Sequence, residues 1–488
     1  MDWLSILEIF LPIALVLSTA LTVFIITLPE QYSNFKPRVI LDSDFTDVDR
    51  KDSARSGYAY FQRHKDADGT LRCTTSVQIV VLGDIGRSPR MQYHALSIAG
   101  HGGKVSLVGY DDSDVHPDIK ASRFIDVVAI ARFPSALQTD NKILFLLLAP
   151  LKVLHQILSL YIALSYKTPA SKWMLVQNPP SIPTLAVAQV ICFFRKTKLV
   201  VDWHNFGYSI LALRLGSTHP LVRLSHWYEG FFGRNATAYF AVSDAMSKVL
   251  LSKWNIRALP LHDRPPMHFR PLSALQRTYF LHKLPETSPY ASDILARKTR
   301  LLVSSTSWTA DENFSLLLGA LVTYAKLSLT QPLPRVLLVI TGKGPQKAHY
   351  LSKIAHLTNT NQLPNVTILT AWLTASDYAS LLGSADLGIS LHTSSSGVDL
   401  PMKVVDMFGT GLPVAGWSKF EAWSELVREG ENGRGFENEE GLVRVLAELF
   451  GRSGEVELAK LKEGAMREGD KRWEGEWMPV AGNLFGLD

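Results

Sequence analysis

The sequence predicts an α/β protein with two doubly wound domains of parallel sheet, preceded by one membrane-spanning helix. Strand and helix patterns alternate from about residue 75 to residue 258, and the alternation restarts at residue 301. A stretch rich in Pro, His and Arg, from Leu259 to Pro271, separates the two runs. Repeated strand–helix alternation is typical of parallel sheets covered by helices. Twenty residues without a charge, from Ile9 to Leu28, supply the third observation.

The composition excludes several classes of protein. At about 150 residues per domain, 488 residues correspond to two or three domains. With 47% hydrophobic and 19% charged residues the chain is not disordered, and a net charge of +5 spread along it does not indicate nucleic acid. Two cysteines, Cys73 and Cys192, cannot form a disulfide framework or a cysteine zinc site, which favours a reducing compartment.

The uncharged N-terminal run is long enough to anchor the protein in a bilayer. At about 1.5 Å per residue, twenty helical residues span a hydrocarbon core of about 30 Å. No basic residue precedes the run, which disfavours a cleaved signal peptide. Lys36 and Arg38 follow it, so the positive-inside rule predicts a single-pass protein with a lumenal N-terminus and a cytosolic body.

Composition also divides the chain. We expect residues 1–30 to form the lumenal N-terminus and anchor, and residues 31–72 to form a linker or insertion without a sustained apolar period. Residues 73–270 and 271–488 are the two predicted domains. Residues 144–166 are apolar but contain Pro150, Lys152 and His155, so they form either a core helix or a helix lying in the membrane interface.

Ligands of doubly wound sheets bind beyond the carboxyl ends of the strands, so the strands locate the candidate residues. The predicted strands are Ser76–Leu82, Val105–Val108, Trp173–Val176, Leu199–Asp202 and Ala238–Val242 in the first domain, and Leu301–Ser304, Val336–Thr341, Val366–Leu369 and Leu387–Leu391 in the second.

Two polar clusters follow strands of the first domain. Gly83-Asp84-Ile85-Gly86-Arg87 comes directly after the first strand, and Ser88-Pro89 predicts a helix start whose free N–H groups can receive an anion. The pattern lacks the full dinucleotide fingerprint, so we expect no NAD, FAD or other cofactor. The second cluster, DWHNFGYS at residues 202–209, contains His204 and Asn205.

The second domain has two further clusters. Gly342-Lys343-Gly344 follows a strand and can place backbone N–H groups and an ammonium against a diphosphate. Ser396 and Gly397 precede a predicted helix N-terminus, which favours phosphate. Asp399 and Asp406 are seven residues apart, which predicts that both lie on one side of that helix, either to hold ribose hydroxyls or as a solvated face.

Two acidic segments resemble metal-binding Asp-x-Asp sequences. Asp42-Ser43-Asp44 and residues 111–114 contain carboxylates that suit Mn²⁺ or Mg²⁺. Such triplets are more often solvated loops, so we predict no metal site.

The motifs GDIGRSPRMQYH, DWHNFGYS, SSTSWTADENF and SSGVDLPMKVVDMFG together resemble the chitobiosyldiphosphodolichol β-mannosyltransferase family, GT-B glycosyltransferases of the endoplasmic reticulum. The resemblance covers nearly the whole chain. Many GT-B enzymes carry two glutamates eight residues apart. Here Asp406 takes the second place and Val398 the first, which argues against retaining chemistry built on that pair, and the family that the chain resembles is inverting.

The resemblance implies transfer of mannose, in β-1,4 linkage, from GDP-mannose to GlcNAc2-diphosphodolichol at the endoplasmic reticulum membrane, with other early dolichol-pathway mannosyltransferases as possible partners. A single displacement needs a general base for the acceptor hydroxyl. Asp84 is the first candidate and His204 the second, although Asp84 also fits a helix cap. The expected substrate-binding residues are Gly83, Gly86, Arg87 and Asn205 in the first domain, and Gly342, Lys343, Gly344, Ser396, Gly397, Asp399, Lys403 and Asp406 in the second.

Two alternatives stay open at this point. One is a catalytically silent, membrane-tethered sugar-nucleotide-binding scaffold, which a transfer assay with lipid acceptor would distinguish. The other is a retaining glycosyltransferase of the same fold with another acceptor, which the anomeric configuration of the product would distinguish.

The predicted topology has a direct test. Three sequons, beginning at Asn235, Asn313 and Asn365, should carry no glycan because a cytosolic body never meets the lumenal glycosylation machinery. Endoglycosidase treatment of the native protein should leave its mobility unchanged. A glycan on any of the three would reverse the predicted orientation.

Overall fold

The structure is a computed structural model that describes residues 11–19, 21–22, 37–73, 75–135, 142–309 and 312–487. Residues 11–19 and 21–22, within the predicted anchor, are helical and exposed. The rest of the anchor lies outside the described residues, so membrane spanning by this segment stays a prediction.

The segment predicted as a linker or insertion is folded in its described part. Strands β1 (Arg38–Leu41) and β2 (Thr70–Cys73) pair antiparallel. Phe45 and Phe61, which lie between the two strands in the sequence, are buried, and their ring centroids are 5.1 Å apart. The aromatic side chains have no regular period, which is why the segment showed no sustained apolar pattern.

A seven-stranded sheet follows, in the order β5-β4-β3-β6-β7-β8-β9. Strand β3 pairs in parallel with both β4 and β6, so the order reverses between β3 and β6. The strands are β3 (Ser76–Asp84), β4 (Lys104–Tyr110), β5 (Ile125–Ala129), β6 (Trp173–Asn178), β7 (Lys198–Trp203), β8 (Ala238–Ala241) and β9 (Leu259–Pro260).

The second sheet has six strands in the order β12-β11-β10-β13-β14-β15, and all five pairings are parallel. Its central strands are continuous apolar runs buried on both faces, as parallel sheets require. The strands are β10 (Thr299–Ser305), β11 (Arg335–Thr341), β12 (Val366–Ala371), β13 (Leu387–Ser390), β14 (Val414–Trp417) and β15 (Gly433–Phe436).

Helices connect the strands of both sheets. The α-helices are Asp47–Lys51, Ser53–Ser56, Tyr58–His64, Pro89–Gly100, Pro117–Ala121, Lys142–Ile162, Thr184–Arg195, Gly207–Leu215, Pro220–Gly233, Asp244–Trp254, Ala274–Lys283, Ala291–Leu295, Phe314–Leu327, Lys347–Asn359, Ala375–Ser384, Met402–Gly409, Trp423–Leu426, Glu439–Phe450, Gly454–Gly469, Trp473–Trp477 and Asn483–Phe485. Shorter 3-10 turns cover Asp42–Asp44, Ile85–Arg87 and Ser288–Tyr290, and π-helical turns cover Ala163–Lys167 and Met478–Gly482.

The two doubly wound sheets confirm the predicted fold class, the GT-B arrangement of two Rossmann-like sheets. Six of the described strands were not predicted from the sequence: β1, β2, β5, β9, β14 and β15. The segments of β14 and β15 are four residues long, and three of those eight residues are Gly. Pairing of β14 with β13, and of β15 with β14, rather than intrinsic propensity makes them strands.

The chain divides into two compact units. One comprises residues 1–201, 227–238 and 485–488, and the other comprises residues 202–226 and 239–484. Each unit is therefore built from separate stretches of chain, which local patterns do not reveal.

The apolar segment at residues 144–166 forms the helix Lys142–Ile162 and its π-helical continuation. Leu160, Ala163 and Leu164 are fully buried, whereas Leu154 and Leu158 are about half exposed. Among the described residues, Leu148–Lys167 is the one helix whose length and composition would suffice to cross a membrane. The C-terminal end of this helix and its continuation thus belong to the core, whereas Leu154 and Leu158 remain open.

A half-buried ion cluster holds the C-terminal segment of the second unit. His262 Nδ1 lies 2.9 Å from Glu476, and its Nε2 lies 3.6 Å from Glu425. Hydrogen bonds to Glu425 and Glu476 outweigh burial and raise the pKa of His262 to about 9. The imidazole is therefore cationic in the folded protein at neutral pH.

This cluster should make stability depend on pH. The raised pKa contributes stability that is fully present below the unfolded pKa of about 6.5 and is lost as pH rises through about 9, on the order of 3 kcal/mol. Urea unfolding of the full chain should show that His262→Gln costs most near pH 6 and little above pH 9.5. The exposed His282→Gln variant is the control, and a pH-independent cost of His262→Gln would contradict the assignment.

Candidate active site

The strand order of the second sheet reverses between β10 and β13. The loops that follow these two strands therefore leave the sheet side by side and open a crevice, which is where ligands of doubly wound sheets bind. The candidate site is built from the loops after β10, β11 and β13, together with residues 202–209 of the same unit.

A buried carboxylate, Glu312, holds these loops. Only 3% of Glu312 is exposed. It accepts hydrogen bonds from the Thr306 hydroxyl and, at 2.9 Å, from the Ser307 backbone N–H, both directly after β10. It also forms an ion pair with Lys403, whose Nζ lies 2.6 Å away, and its backbone forms an antiparallel bridge with His392.

The ion pair fixes the ammonium of Lys403 at the crevice. Lys403 lies in the first turn of the helix Met402–Gly409, and a third of its side chain is exposed. An ammonium has three donors, so the bond to Glu312 leaves others for a ligand. Lys403, the predicted cation, therefore lies at the crevice, and it is held there by Glu312, which was not predicted from the sequence.

Asp399 organises the loop that precedes this helix. It accepts hydrogen bonds from His392 Nε2 at 2.9 Å, from Ser396 at 3.0 Å and from the Ser394 hydroxyl. Burial opposes its ionisation, but the bond from His392 and those from the two serines outweigh burial and lower the pKa of Asp399. The described hydrogen bonds to this carboxylate therefore all come from the protein's own side chains.

The prediction that Asp399 and Asp406 share one side of a helix is wrong. The helix begins only at Met402, after Pro401, and Asp399 lies in the non-helical loop. The cause is the set of side-chain hydrogen bonds to Asp399, which competes with helical backbone bonding. Ser396 and Gly397 lie in this same loop, and Gly397 has a φ of 78°.

Asp406 is on the helix and is only partly buried. Burial raises its pKa well above the usual range, the neighbouring Asp263 carboxylate adds to this, and Lys403 opposes it. Among the described residues, its carboxyl group has no hydrogen-bond partner. A carboxyl that is neutral or ionised according to its surroundings can either donate to or accept from a hydroxyl.

The loop after β11 runs against the loop after β10. A Cβ on Gly342 would lie 1.8 Å from the Thr306 oxygen, and one on Gly344 would lie 1.7 Å from the Ser307 oxygen, so only glycine fits at either position. Between them, Lys343 Nζ lies 4.0 Å above the Trp372 ring. The predicted glycine turn therefore adjoins Glu312 and its partners.

Residues 202–209 reach the loop after β13. Asn205 Nδ2 donates to the Ser395 hydroxyl at 3.2 Å, and the Ser209 hydroxyl lies 3.2 Å from the same oxygen. His204 Nε2 lies 2.8 Å from the carboxylate of Asp202, which is fully buried. A buried carboxylate on one ring nitrogen orients an imidazole and leaves Nδ1 for proton transfer.

The cluster of the first unit is held by Asp84. Its carboxylate accepts from Gly86 N at 3.2 Å, from Ser113 N at 3.1 Å and from the Ser113 hydroxyl at 2.6 Å. Arg87 lies 3.3 Å from it, with an exposed side chain. Gly83 and Asp84 form the end of β3, and the predicted helix starts at Pro89, with Ser88 as its N-cap. Asp84 thus acts as a turn organiser in this structure.

Four residues of the candidate site were not predicted from the sequence: Asp202, Glu312, His392 and Ser395. Glu312 lies in SSTSWTADENF, one of the motifs on which the family resemblance rests, and that motif could have identified it. Asp202 lies two residues before His204 in the motif DWHNFGYS, so that motif could have identified the pair. The contacts of His392 and Ser395 join positions 7 and 190 residues apart, which no local pattern reveals.

The acidic triplets are engaged in ion pairs. Asp42 pairs with Arg50 at 3.0 Å, Asp114 pairs with Lys120 at 2.7 Å, and Asp112 pairs with Arg132.

Comparison with known proteins places this geometry in a family. The family model described as "Glycosyl transferases group 1" matches residues 298–452, which hold the crevice. A solved sucrose-phosphate synthase from Thermosynechococcus elongatus superposes with a TM-score of 0.61 at 12% identity, over 84% of this chain and 98% of that one, so it shares the fold.

Sequence relatives are closer. The chain is 42% identical to UDP-glycosyltransferase TURAN of Arabidopsis thaliana, over 83% of this chain and 96% of the relative. It is 51% identical to the chitobiosyldiphosphodolichol beta-mannosyltransferase of Arthroderma benhamiae, over 77% of this chain and 85% of the relative. At this identity and coverage, the chain belongs to the chitobiosyldiphosphodolichol beta-mannosyltransferase family of N-glycan precursor synthesis.

Proposed function

We propose that the protein transfers mannose from GDP-mannose to chitobiosyldiphosphodolichol with inversion, forming a β-1,4 bond on the cytosolic face of the endoplasmic reticulum. Binding of the donor at this site is supported by the Glu312–Lys403 pair, which lies beside the Gly342–Gly344 turn where the strand order reverses. A fixed ammonium and close backbone suit a diphosphate whose negative charge increases as the sugar departs.

Different residues of the second unit then bind different parts of the donor. Lys403 and Lys343 neutralise the diphosphate, the former as an ion-paired cation and the latter after leaving the Trp372 ring. The carboxyl group of Asp406, without a described hydrogen-bond partner, holds a hydroxyl of the ribose or the sugar. Asp399 acts indirectly by shaping the loop of Ser396 and Gly397.

The inverting step needs a base that removes the proton from the acceptor O4 as the bond to the anomeric carbon forms and the bond to GDP breaks. The Asp202–His204 pair supports His204 in this role, because Asp202 fixes Nε2 and Nδ1 remains to accept the proton. Asp84, the other candidate, already accepts hydrogen bonds from Gly86 and Ser113, which supports a structural role instead.

Val398 supports inversion over retention. It occupies the position where many retaining GT-B enzymes have the first glutamate, it is 2% exposed, and its carbonyl accepts from the Ser243 hydroxyl at 2.5 Å. No carboxylate at this position is available to a retaining mechanism.

Loss of the donor contacts should weaken nucleotide binding. Lys403→Ala and Asp406→Ala should each raise the Kd for GDP-mannose about tenfold to a hundredfold, since a hydrogen bond to a charged group contributes roughly 1.5–3 kcal/mol. Calorimetry on the full chain measures this, and thermal unfolding checks for collapse around Glu312. Lys283→Ala, which breaks the exposed pair with Asp377, should leave the Kd unchanged. Unaltered affinity for GDP-mannose in both test variants would place the donor elsewhere.

Loss of the base should lower the rate instead. His204→Ala and Asp202→Asn should reduce kcat by about 10²–10⁴-fold with little change in the donor KM. Transfer of radiolabelled mannose to a lipid-linked chitobiose diphosphate measures both constants, and the exposed His356→Ala variant is the control. If Asp84→Asn abolishes turnover while His204→Ala does not, Asp84 is the base.

A further inference from the structure

Two helices of the first unit, and the part of a third that belongs to this unit (residues 227–233), present apolar side chains that remain exposed in the described structure. From β5 to β6, from β6 to β7 and from β7 to β8, the chain moves in the same direction across the sheet, and the first of these crossovers passes over β4 and β3. Right-handed crossovers then place the connecting helices on one face of it. These helices are Lys142–Ile162, Thr184–Arg195 and Pro220–Gly233.

Contacts between the helices keep them side by side. The buried Arg195 donates to the Ser165 carbonyl at 2.9 Å, which ties the second helix to the continuation of the first. Gln189 donates to the Phe232 carbonyl, and Tyr228 Oη donates to the Pro183 carbonyl at 3.3 Å, which ties the second helix to the third. The outer sides of the three helices therefore belong to one surface.

That surface is apolar and strongly exposed. Six of its side chains are between 44% and 79% exposed: Leu154, Leu158, Phe193, Phe194, Trp227 and Phe231. We call these six residues the apolar face. An exposed apolar area of this extent marks a site of interaction with a protein or a membrane.

The charges around the apolar face distinguish a membrane from a protein as its binding partner. Residues 148–167, 184–198 and 227–234 contain one acidic residue, Glu229, which is fully buried. Exposed basic residues border the face: Lys152, Lys167, Lys196, Lys198 and Arg234. A second copy of the chain would bring like charges together, whereas an anionic lipid surface complements them.

We propose that the apolar face docks onto the phospholipid bilayer, with its side chains among the acyl chains and its basic border at anionic headgroups. It forms a contact with the membrane in addition to the predicted anchor at residues 9–28. Ser159 and Leu160, in the last turn of the helix at 142–162, are buried in the core, and so are Ala163 and Leu164 in its continuation. With its C-terminal end held by the core, this helix lies along the bilayer and does not cross it. The surface and its charges carry this inference, independently of the proposed reaction.

Spin labels on the full-length protein test the proposal. Cys73 and Cys192 are buried, and burial raises the pKa of their thiols to about 11 and about 12, so introduced cysteines are labelled selectively. Phe193→Cys and Phe231→Cys carry the label on the apolar face. Val456→Cys, at an exposed apolar residue beside Glu455 and Glu457, is the matched control.

In vesicles of phosphatidylcholine and phosphatidylserine, the two test labels should collide freely with oxygen. Their collisions with a water-soluble nickel complex should be about fivefold rarer than those of the Val456 label, because the acyl region excludes water. Lys152→Glu combined with Lys196→Glu should restore collisions with nickel. GDP binding confirms that each variant is folded. The collision rates do not depend on mannosyl transfer, so a failure of the proposed transferase activity would not change the conclusion about the membrane contact.

The other outcomes overturn the proposal. Labels that are accessible to both reagents lie in water. Labels that are shielded from both lie in a protein interface, which would assign the face to a second copy or another protein.

Discussion

The buried carboxylate of Glu312 is the constraint on which the candidate site depends. A charge that is removed from water must be paired and hydrogen-bonded, or it costs several kcal/mol. Here the donors are Thr306, Ser307 and Lys403, and the backbone bridge to His392 adds the loop after β13. Satisfying one side chain therefore brings together the ends of two strands and the start of a helix.

The same physical rule recurs in the neighbouring loops. Asp399 is satisfied by His392, Ser394 and Ser396, and Asp202 is paired with His204. In the first unit, Asp84 plays this part for its own turn. Most acidic residues that a sequence offers as ligand-binding groups are here occupied in shaping loops. Asp406 differs, because burial and Asp263 disfavour its charge and its carboxyl group has no described hydrogen-bond partner.

Membership in the mannosyltransferase family is consistent with the role that we propose for these loops. In the proposed reaction a departing diphosphate must be stabilised without being retained, and an ammonium that is also paired with Glu312 holds an anion less tightly than an unpaired one. The lipid-linked acceptor of the family also requires a protein that works at a bilayer. The predicted anchor and the basic, apolar helical surface both suit that requirement, and they are separate features of the chain.

The sequence by itself determined the alternation of strands and helices, most of the strand positions and the glycine turn at residues 342–344. These follow from local properties: apolar runs form buried strands, and glycine permits close approach of backbone. The family followed from motifs that are each contiguous in the chain. Only the tertiary structure decided that Asp399 precedes the helix, that Glu312 holds Lys403 and that Asn205 meets Ser395. Such contacts join residues up to 190 positions apart, and the free energy that selects them comes from burying and pairing polar groups, which no local pattern records.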